Sequence, residues 1–565
     1  RSTDMALPLD RRLPSESPAM PALSIPPLRA TWDTSTSTET FVVSWPRVKV
    51  FVLICSIAVA AAVRITALDT YGFSEDEINK VNAIEQYRQG HLGANGEHPM
   101  LMKLAMWGSV AAAARWNRAV PSDRAIPLET AIRLPNAVAG ALTTGVIFGV
   151  ADLLFGGTVA AVAAALWALD VNAIAINRIG KEDTFLLLFF LLAVYCYERA
   201  KREGRLDIAR AQRWYTFSGA SFGLMLAAKY MPQYLGIYAL FNLLTDPDPG
   251  ANRPNRIRHY AAMAGAFVAA DLAILMPSTW RYAASYVAGH MLAHHGYLYA
   301  GALYVTDVPI SPLGVPVTFY LRLLGTKVPM VILAALVPGL VEMVRRRRER
   351  GFVLLRVLAV FLLVPYSLMA AKFLRYALPM LATVDLIAAV GIVAGLGWLL
   401  RKGWLSMPTR VIVAGAATAV VALGVVRADQ TAGPYYSLFQ NAIGTRVNVR
   451  RPVFPEESYD YGVREAVAGI AAAAGPSADI VCDAPSVAAH YLRAQARPDL
   501  RVRSLSAEGI DVHARESWAV VQDEHVTFEN QAVVAQLRGA GRPWREIRID
   551  DRLALQIFHI GGTQR

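Results

Sequence analysis

Residues 69–103 read DTYGFSEDEINKVNAIEQYRQGHLGANGEHPMLMK and follow the first strongly apolar run of the chain. The stretch carries two adjacent acids, Asp76 and Glu77, and a loop's length later the pair His98-Pro99. Ser74 or Glu75 opens a helix on which Ile78, Val81, Ile84 and Tyr87 recur at helical spacing. Such a helix lies in a membrane interface with its acids at the N-terminal end. A second helix opens after Pro99, setting Leu101, Leu104 and Met106 against lipid or protein and leaving Lys103 to snorkel.

Composition supplies the setting. Of 565 residues, 55% are hydrophobic and 18% charged, too apolar for an ordinary soluble enzyme and long enough for many spans plus a domain. The net charge of +12 comes from 56 Lys and Arg against 44 Asp and Glu. That excess sits in short loops between apolar runs, as membrane orientation requires, so it does not call for nucleic acid. Cys55, Cys196 and Cys482 are far apart and form no Cys-x-x-Cys, which gives no zinc knot and no disulfide framework.

Residues 1–44 are rich in Pro, Ser and Thr and read as a disordered cytoplasmic tail rather than a signal peptide. Apolar runs at 48–68, 130–154, 158–177, 184–199, 214–229, 231–245, 258–277, 322–344, 353–371, 376–400 and 410–427 predict about eleven spans within a membrane domain at 45–428. With the N-terminus inside, the loops at 198–213, 246–259, 345–350 and 401–410 hold most of the loop Lys and Arg. The outer loops are then 69–127 and 277–320. Residues 429–565 form a small extracytoplasmic α/β domain, with strands near 478–483, 518–522 and 553–560 and helices near 461–474 and 528–538.

Several motifs recur in one order and on one predicted face: Asp76-Glu77, His98-Pro99, Arg133-Leu134-Pro135, Asn177-Arg178 leading to Asp183, Ala228-Lys229-Tyr230, Thr326-Lys327-Val328-Pro329, and Arg375-Tyr376 with Pro379. Through them, residues 45–400 resemble the C-type membrane glycosyltransferases of the protein O-mannosyltransferase-like and aminoarabinose-transferase-like group. The segments at 434–441 (PYYSLFQN) and 459–462 also resemble what bacterial relatives carry after the last span. The resemblance implies a polyprenyl-phosphate-linked sugar as donor, an acceptor hydroxyl on a protein or lipid, and a second active-site carboxylate at Asp183. It implies a bacterial cell membrane and makes protein O-mannosyl transfer the closest activity, with a lipid or envelope polymer as the other acceptor class.

The chemistry of the residues points the same way. Sugar transfer from a lipid phosphate needs a base for the acceptor proton and cations for the departing phosphate. Asp76 is the expected base, and a single displacement inverts the anomeric centre. Glu77 either orients the acceptor or raises the pKa of Asp76 by like-charge repulsion; the competing reading is an acid pair capping a helix. Asp183 positions sugar or acceptor, unless it is a helix-terminal acid paired with Arg178 or Lys181.

Lys229, Lys327, Lys372 and Arg375 fall at the outer boundary of different spans. Lys229 and Arg375 are the first choices for the donor phosphate, followed by Lys327 and Arg178; snorkelling is the plain alternative. His98 with His294 and His295 forms a substrate-loop set, and His290 and His294 share a helix face compatible with a metal. No metal and no cofactor is expected, since Lys and Arg can neutralise a monophosphate. Asp271 and Asp385, inside spans, either line a cavity or hold private hydrogen bonds. A many-spanned lipid or sugar transporter is the alternative of a different class, against which stands the placement of the acids in a surface loop.

Overall fold

The computed structural model describes residues 46–204, 206–245, 254–287, 296–305, 314–401, 406–447, 453–454, 457–509, 516–549 and 551–561. Helix α1 (Pro46–Ile65) leads to α2 (Glu75–Arg88) and α3 (Leu101–Asn117), which make up the acid-bearing stretch. Next come α4 (Leu128–Leu154), α5 (Gly157–Ala168), α6 (Val171–Asn177), α7 (Asp183–Glu203), α8 (Ile208–Ala228), α9 (Gln233–Thr245) and α10 (Arg256–Ala270). After α11 (Pro277–Val287), an antiparallel hairpin of β1 (Tyr297–Tyr299) and β2 (Ala302–Tyr304) precedes α12 (Phe319–Lys327), α13 (Met330–Arg345), α14 (Arg350–Leu368), α15 (Leu378–Leu400) and α16 (Met407–Ala432).

Each of the eleven expected runs falls on one of these helices or on a bent pair. Among the described residues, five helices are long and apolar enough to cross a membrane: α1, α4, α14, α15 and α16. Two bent pairs, α5 with α6 at 59° and α12 with α13 at 116°, raise the number to seven. The other four runs differ for local reasons. α9 and α10 have 13 and 15 residues, and α7 carries charge at both ends. α8 has Arg210, Gln212 and Arg213 in its first half. Several long apolar helices with apolar outer faces make this an integral membrane protein.

Burial sorts the bundle. The most apolar window of α15 is 83% buried, against 17% in α1 and in α16. α15 is therefore the axis, while α1 and α16 turn Phe51, Ile54, Ile412 and Leu423 outward. α8 meets α10 through Gly219 and Gly223, where an added Cβ would come within 2.2 Å of the carbonyls of His259 and Met263. This is the small-xxx-small contact by which helices without a hydrophobic driving force pack closely.

Beyond α17 (Ala442–Val447) the chain forms a second unit from α18 (Val463–Ala473), β3 (Asp479–Cys482), α19 (Pro485–Ala494), β4 (Arg501–Ser504), α20 (Leu505–Glu508), β5 (Ser517–Gln522), α21 (Gln531–Ala540), β6 (Arg545–Ile549) and β7 (Arg552–Ile560). Its sheet has the order β4-β3-β5-β7-β6, parallel across β4-β3-β5 and antiparallel beyond. Period-two alternation builds two cores. Ile480, Cys482, Trp518, Val520, Leu555 and Ile557 pack on α18 and α19, and Val481, Ala519, Val521 and Phe558 pack with α21 on the other face. The three expected strands and two expected helices are present within a few residues of their predicted bounds, together with β4, β6 and α19.

The first of these cores continues into the membrane unit through Phe73, Ile78, Ile84, Met102, Met106 and Phe185. α2 therefore does not lie on a lipid surface as its spacing suggests; it is buried between the bundle and the sheet. Tyr491 Oη accepts from Phe73 N at 2.7 Å and donates to Glu129. Arg464 donates to the carbonyls of Asp69 and Thr70. Lys103 does not snorkel either: it is fully buried and its Nζ donates to the carbonyls of Asn95 and His98 at 2.7 and 2.8 Å.

Candidate active site

The first turn of α2 sets the geometry. Ser74 caps the helix, and Glu77 returns a carboxylate to the Ser74 amide at 3.0 Å. Three acids, Glu75, Asp76 and Glu77, thus occupy the end that the helix dipole favours for negative charge. Glu77 is enclosed: Arg133 grips it at 2.8 and 2.7 Å, and Gly180 N donates at 2.9 Å. Arg133 also collects the carbonyls of Leu68, Tyr71 and Gly72. Together they fix the loop into α2 and the register of Asp76 beside them. Glu77 is thereby a positioning residue, and its two expected roles, contact with acceptor and elevation of the Asp76 pKa, do not match this placement.

Asp76 is about a third exposed (32%) and contacts Lys181 Nζ through Oδ2. Arg375 Nη1 lies 3.7 Å from the same oxygen, and its Nε lies 3.9 Å from Asp183 Oδ2. Lys229 Nζ donates to Asp183 Oδ1 at 2.7 Å. The result is a row of alternating charge, Lys229, Asp183, Arg375, Asp76, Lys181. Asp183 begins α7, Lys229 follows α8 directly, and Arg375 sits in the turn before α15. A second pair lies alongside: Lys80 is 3.1 Å from Glu182, and His98 Nδ1 is 3.9 Å from the same carboxylate.

Burial would push the Asp76 carboxyl up, but Lys181, Arg375 and Lys80 hold it well below the usual carboxylate range. Glu182 is fully buried, and burial would raise it too, but Lys80 and Lys181 hold it well below its ordinary value. The His98 imidazole is driven well below its ordinary value by burial, against Glu182, with Lys80 and Lys181 adding to the fall.

Asp76 and Arg375 open onto a cavity of about 270 Å³. One wall comes from the membrane unit with Ser74, Glu75 and Phe373; the opposite wall comes from the sheet unit with Asp460, Asp483, Glu524, His525 and Thr527. The two walls are joined where Glu75 N donates to Asp460 Oδ2 at 2.7 Å. Tyr459 and Asp460 lead into α18 with φ of 42° and 60°, left-handed values uncommon outside glycine.

The structure sorts the expected cations. Lys229 and Arg375 are in the row. Arg178 instead donates to the carbonyls of Val63, Arg64, Thr66 and Ala67, closing the C-terminal end of α1. Lys327 is committed to Glu457 at 2.7 Å and to the carbonyls of Ser437 and Phe439. Lys372 binds the carbonyls of Val315 and Met369. Placement of Arg178 and Lys327 on the donor phosphate therefore does not fit: both have their hydrogen bonds inside the fold.

His290, His294 and His295 lie outside the described residues. Among the described residues, no group of three or more His, Cys, Asp or Glu side chains is arranged to hold a metal ion. Asp271 holds private bonds to Met100 N and Tyr230. Asp385 is buried away from this cavity.

Residues 127–277 match the family model described as dolichyl-phosphate-mannose-protein mannosyltransferase. ArnT from Cupriavidus metallidurans, in the crystal structure bound to undecaprenyl phosphate, aligns with a TM-score of 0.53 at 14% identity, over 89% of this chain and 97% of that one. The chain has the C-type membrane glycosyltransferase fold. ArnT in the apo state gives a TM-score of 0.52 at the same identity and coverage. The Archaeoglobus fulgidus oligosaccharyltransferase tethered with an acceptor peptide aligns at 0.47 and 10% identity, over 81% of this chain and 64% of that one. No curated protein sequence matches the chain significantly.

Within this C-type fold, the matched segment contributes Asp183 and Lys229, while Asp76 and Arg375 come from either side of it. Sequence reasoning missed Lys80, Asp460, Glu524 and His525. Lys80 lies off the apolar face of α2 and reads as solvated. The other three are hundreds of residues from Asp76, and only the closure of the sheet unit onto α2 brings them near.

Proposed function

We propose that the chain is a membrane glycosyltransferase that moves mannose from a polyprenyl-phosphate carrier to an acceptor hydroxyl on the extracytoplasmic face, and that protein O-mannosylation is its activity. The row Lys229, Asp183, Arg375, Asp76, Lys181 carries this reading. It puts a carboxylate with an open cavity in front of it directly beside cations able to take a phosphate. The undecaprenyl phosphate bound by ArnT and the description of the matched family support a lipid-phosphate donor.

In the proposed step, the acceptor oxygen bonds to the anomeric carbon as the bond from that carbon to the phosphate oxygen breaks. The pair of the broken bond leaves with polyprenyl phosphate, whose growing charge falls on Arg375, Lys181 and Lys229. The acceptor proton passes to Asp76, and one displacement inverts the centre. An Asp76 so acidic is a weak base. A donor phosphate that draws Arg375 and Lys181 to itself loosens their hold on Asp76 and restores basicity when the acceptor arrives. Asp183 keeps Lys229 and Arg375 in place, and His98, held neutral, stands beside Glu182 as a hydrogen-bonding group for sugar or acceptor.

Neutralisation by Lys and Arg makes the proposed reaction independent of divalent metal. The topology proposed with it has eleven spans, the N-terminus in the cytoplasm of a bacterial cell, and the sheet unit outside.

The test is release of polyprenyl phosphate from polyprenyl-phosphate-mannose by purified protein in lipid, for the native chain and Asp76→Asn, with and without a chelator. Turnover that collapses in the variant and ignores the chelator supports the reading. Turnover indifferent to Asp76 overturns the assignment of the base, and labelled lipid crossing the bilayer without turnover points to a transporter.

A further inference from the structure

The wall of the cavity that faces Arg375 has its own chemistry. Asp483 follows β3 directly and Glu524 and His525 follow β5, so all three stand at the carboxyl ends of adjacent parallel strands. From β3 the chain crosses through α19 to β4 on one side, and β5 lies on the other. Ligands of open α/β sheets bind in the crevice at such a reversal. Asp460 and, from α2, Glu75 add two further carboxylates.

These acids are unevenly satisfied. Asp483 accepts from Ser506 N and Asn530 Nδ2, and Asp460 accepts from Glu75 N and Gln522 Nε2. Glu524 has Ser458 N on Oε2 at 2.9 Å, while Oε1 is buried with no hydrogen-bond partner. Thr527, nine-tenths buried, lines the same cavity and its Oγ1 also has no partner. His525, 3.2 Å from Asp460, is the basic side chain of this wall and stands among four acids. Burial pushes Glu75 up to about 7 and Glu524 up to about 8 against the pull of His525, so both acids gain from a further cation beside them. Tyr297 and Phe373 add aromatic surface beside them, which also suits a cation.

A cation entering beside Glu75 and Glu524 draws both acids into their charged form and is matched by it, whereas a phosphate donor finds its cations, Arg375 and Lys181, on the opposite wall. We propose that the acidic wall of the sheet unit is the acceptor subsite, and that it takes a hydroxyl-bearing peptide with lysine or arginine beside the acceptor residue. The acceptor hydroxyl then meets Asp76 while the neighbouring ammonium or guanidinium sits among Glu524, Glu75 and Asp460, with Thr527 as a further hydrogen-bonding partner. The acids lack the arrangement a metal ion needs, so an organic cation is the matching ligand. This subsite rests on the glycosyltransferase reading for its purpose, though not for its binding chemistry.

The experiment uses the full chain in lipid nanodiscs without donor and measures binding of two fluorescent peptides, threonine flanked by lysines and threonine flanked by glutamates. The lysine peptide should bind more tightly, and Glu524→Gln and Thr527→Val should each weaken it, the first by about tenfold. Glu524→Lys should turn the preference toward the glutamate peptide, a gain that a misfolded chain cannot show. Equal binding of the two peptides, or a loss of polyprenyl-phosphate-mannose affinity in Glu524→Gln as large as the loss for the peptide, overturns the proposal. Glu524-dependent binding of the lysine peptide with no sugar transferred to it upholds the subsite and counts against the transfer reaction.

Discussion

Lys229 Nζ donates to Asp183 Oδ1 at 2.7 Å, and both side chains are buried. A buried pair costs little to keep and much to halve, because the surviving charge has no solvent. Lys229→Met should therefore destabilise the chain by about 3–5 kcal/mol, and adding Asp183→Asn should recover most of that loss. Denaturant unfolding of the single and double variants checks this. Strictly additive losses would show that the two residues do not act as a pair.

Asp76→Asn keeps the shape of the side chain and removes the carboxylate that faces the cavity. Turnover should fall by about 10²–10⁴-fold, a loss beyond the stability that goes with the Lys181 contact. The ratio of rates at matched folded fraction is the measurement, and a fall below about tenfold would place the base elsewhere.

One residue further on, Glu77→Gln should cost stability and largely spare the chemistry. It removes the charge facing Arg133, where both side chains are buried, and should cost about 3–5 kcal/mol of stability. Arg133→Met combined with Glu77→Gln should be less damaging than either alone if the pair serves only to hold the loop. Activity per folded molecule should fall far less than in Asp76→Asn.

Stability should depend on pH through the cavity wall. Burial raises both Glu75 and Glu524; for Glu75, Asp460 adds to the rise and His525 opposes it, while for Glu524, His525 and the Ser458 amide oppose burial and Asp460 adds a smaller push upward. Groups raised in the fold favour their protonated form there. Their stabilising contribution is thus fully present below the ordinary value of 4.5 and is lost as pH climbs through about 7 for Glu75 and about 8 for Glu524. The unfolding temperature of the full chain should fall across that window, and Glu524→Gln, neutral throughout, should flatten its upper part. An identical slope in the variant would remove Glu524 as the source.

Much of the helical bundle was legible because lipid imposes a simple rule: long apolar runs with charge at the ends. Where the rule weakens, as in short α9 and α10 or at the 116° bend before α13, the run was visible but its form was not. Asp76, Asp183, Lys229 and Arg375 were legible as charges at one depth. Arg178 and Lys327 carry the same signal and proved to be committed to backbone carbonyls and to Glu457, a difference that depends on partners more than 100 residues away. α2 was read as interfacial since its apolar spacing does not say whether lipid or protein covers it. Period-two alternation showed the strands at 518–522 and 553–560 but not their carboxyl-end loops as a cavity wall.

The bond from Glu75 N to Asp460, with the shared core beneath it, means that neither half of the cavity exists alone. On the proposed reading, the helices hold the lipid-phosphate donor and the sheet selects the recipient. Lineages that exchange or remodel the sheet while leaving the helices untouched would change customers without relearning the reaction. Divergence among such proteins should then concentrate in the loops after β3 and β5, and a chimera joined after α17 should inherit its choice of recipient from its C-terminal parent.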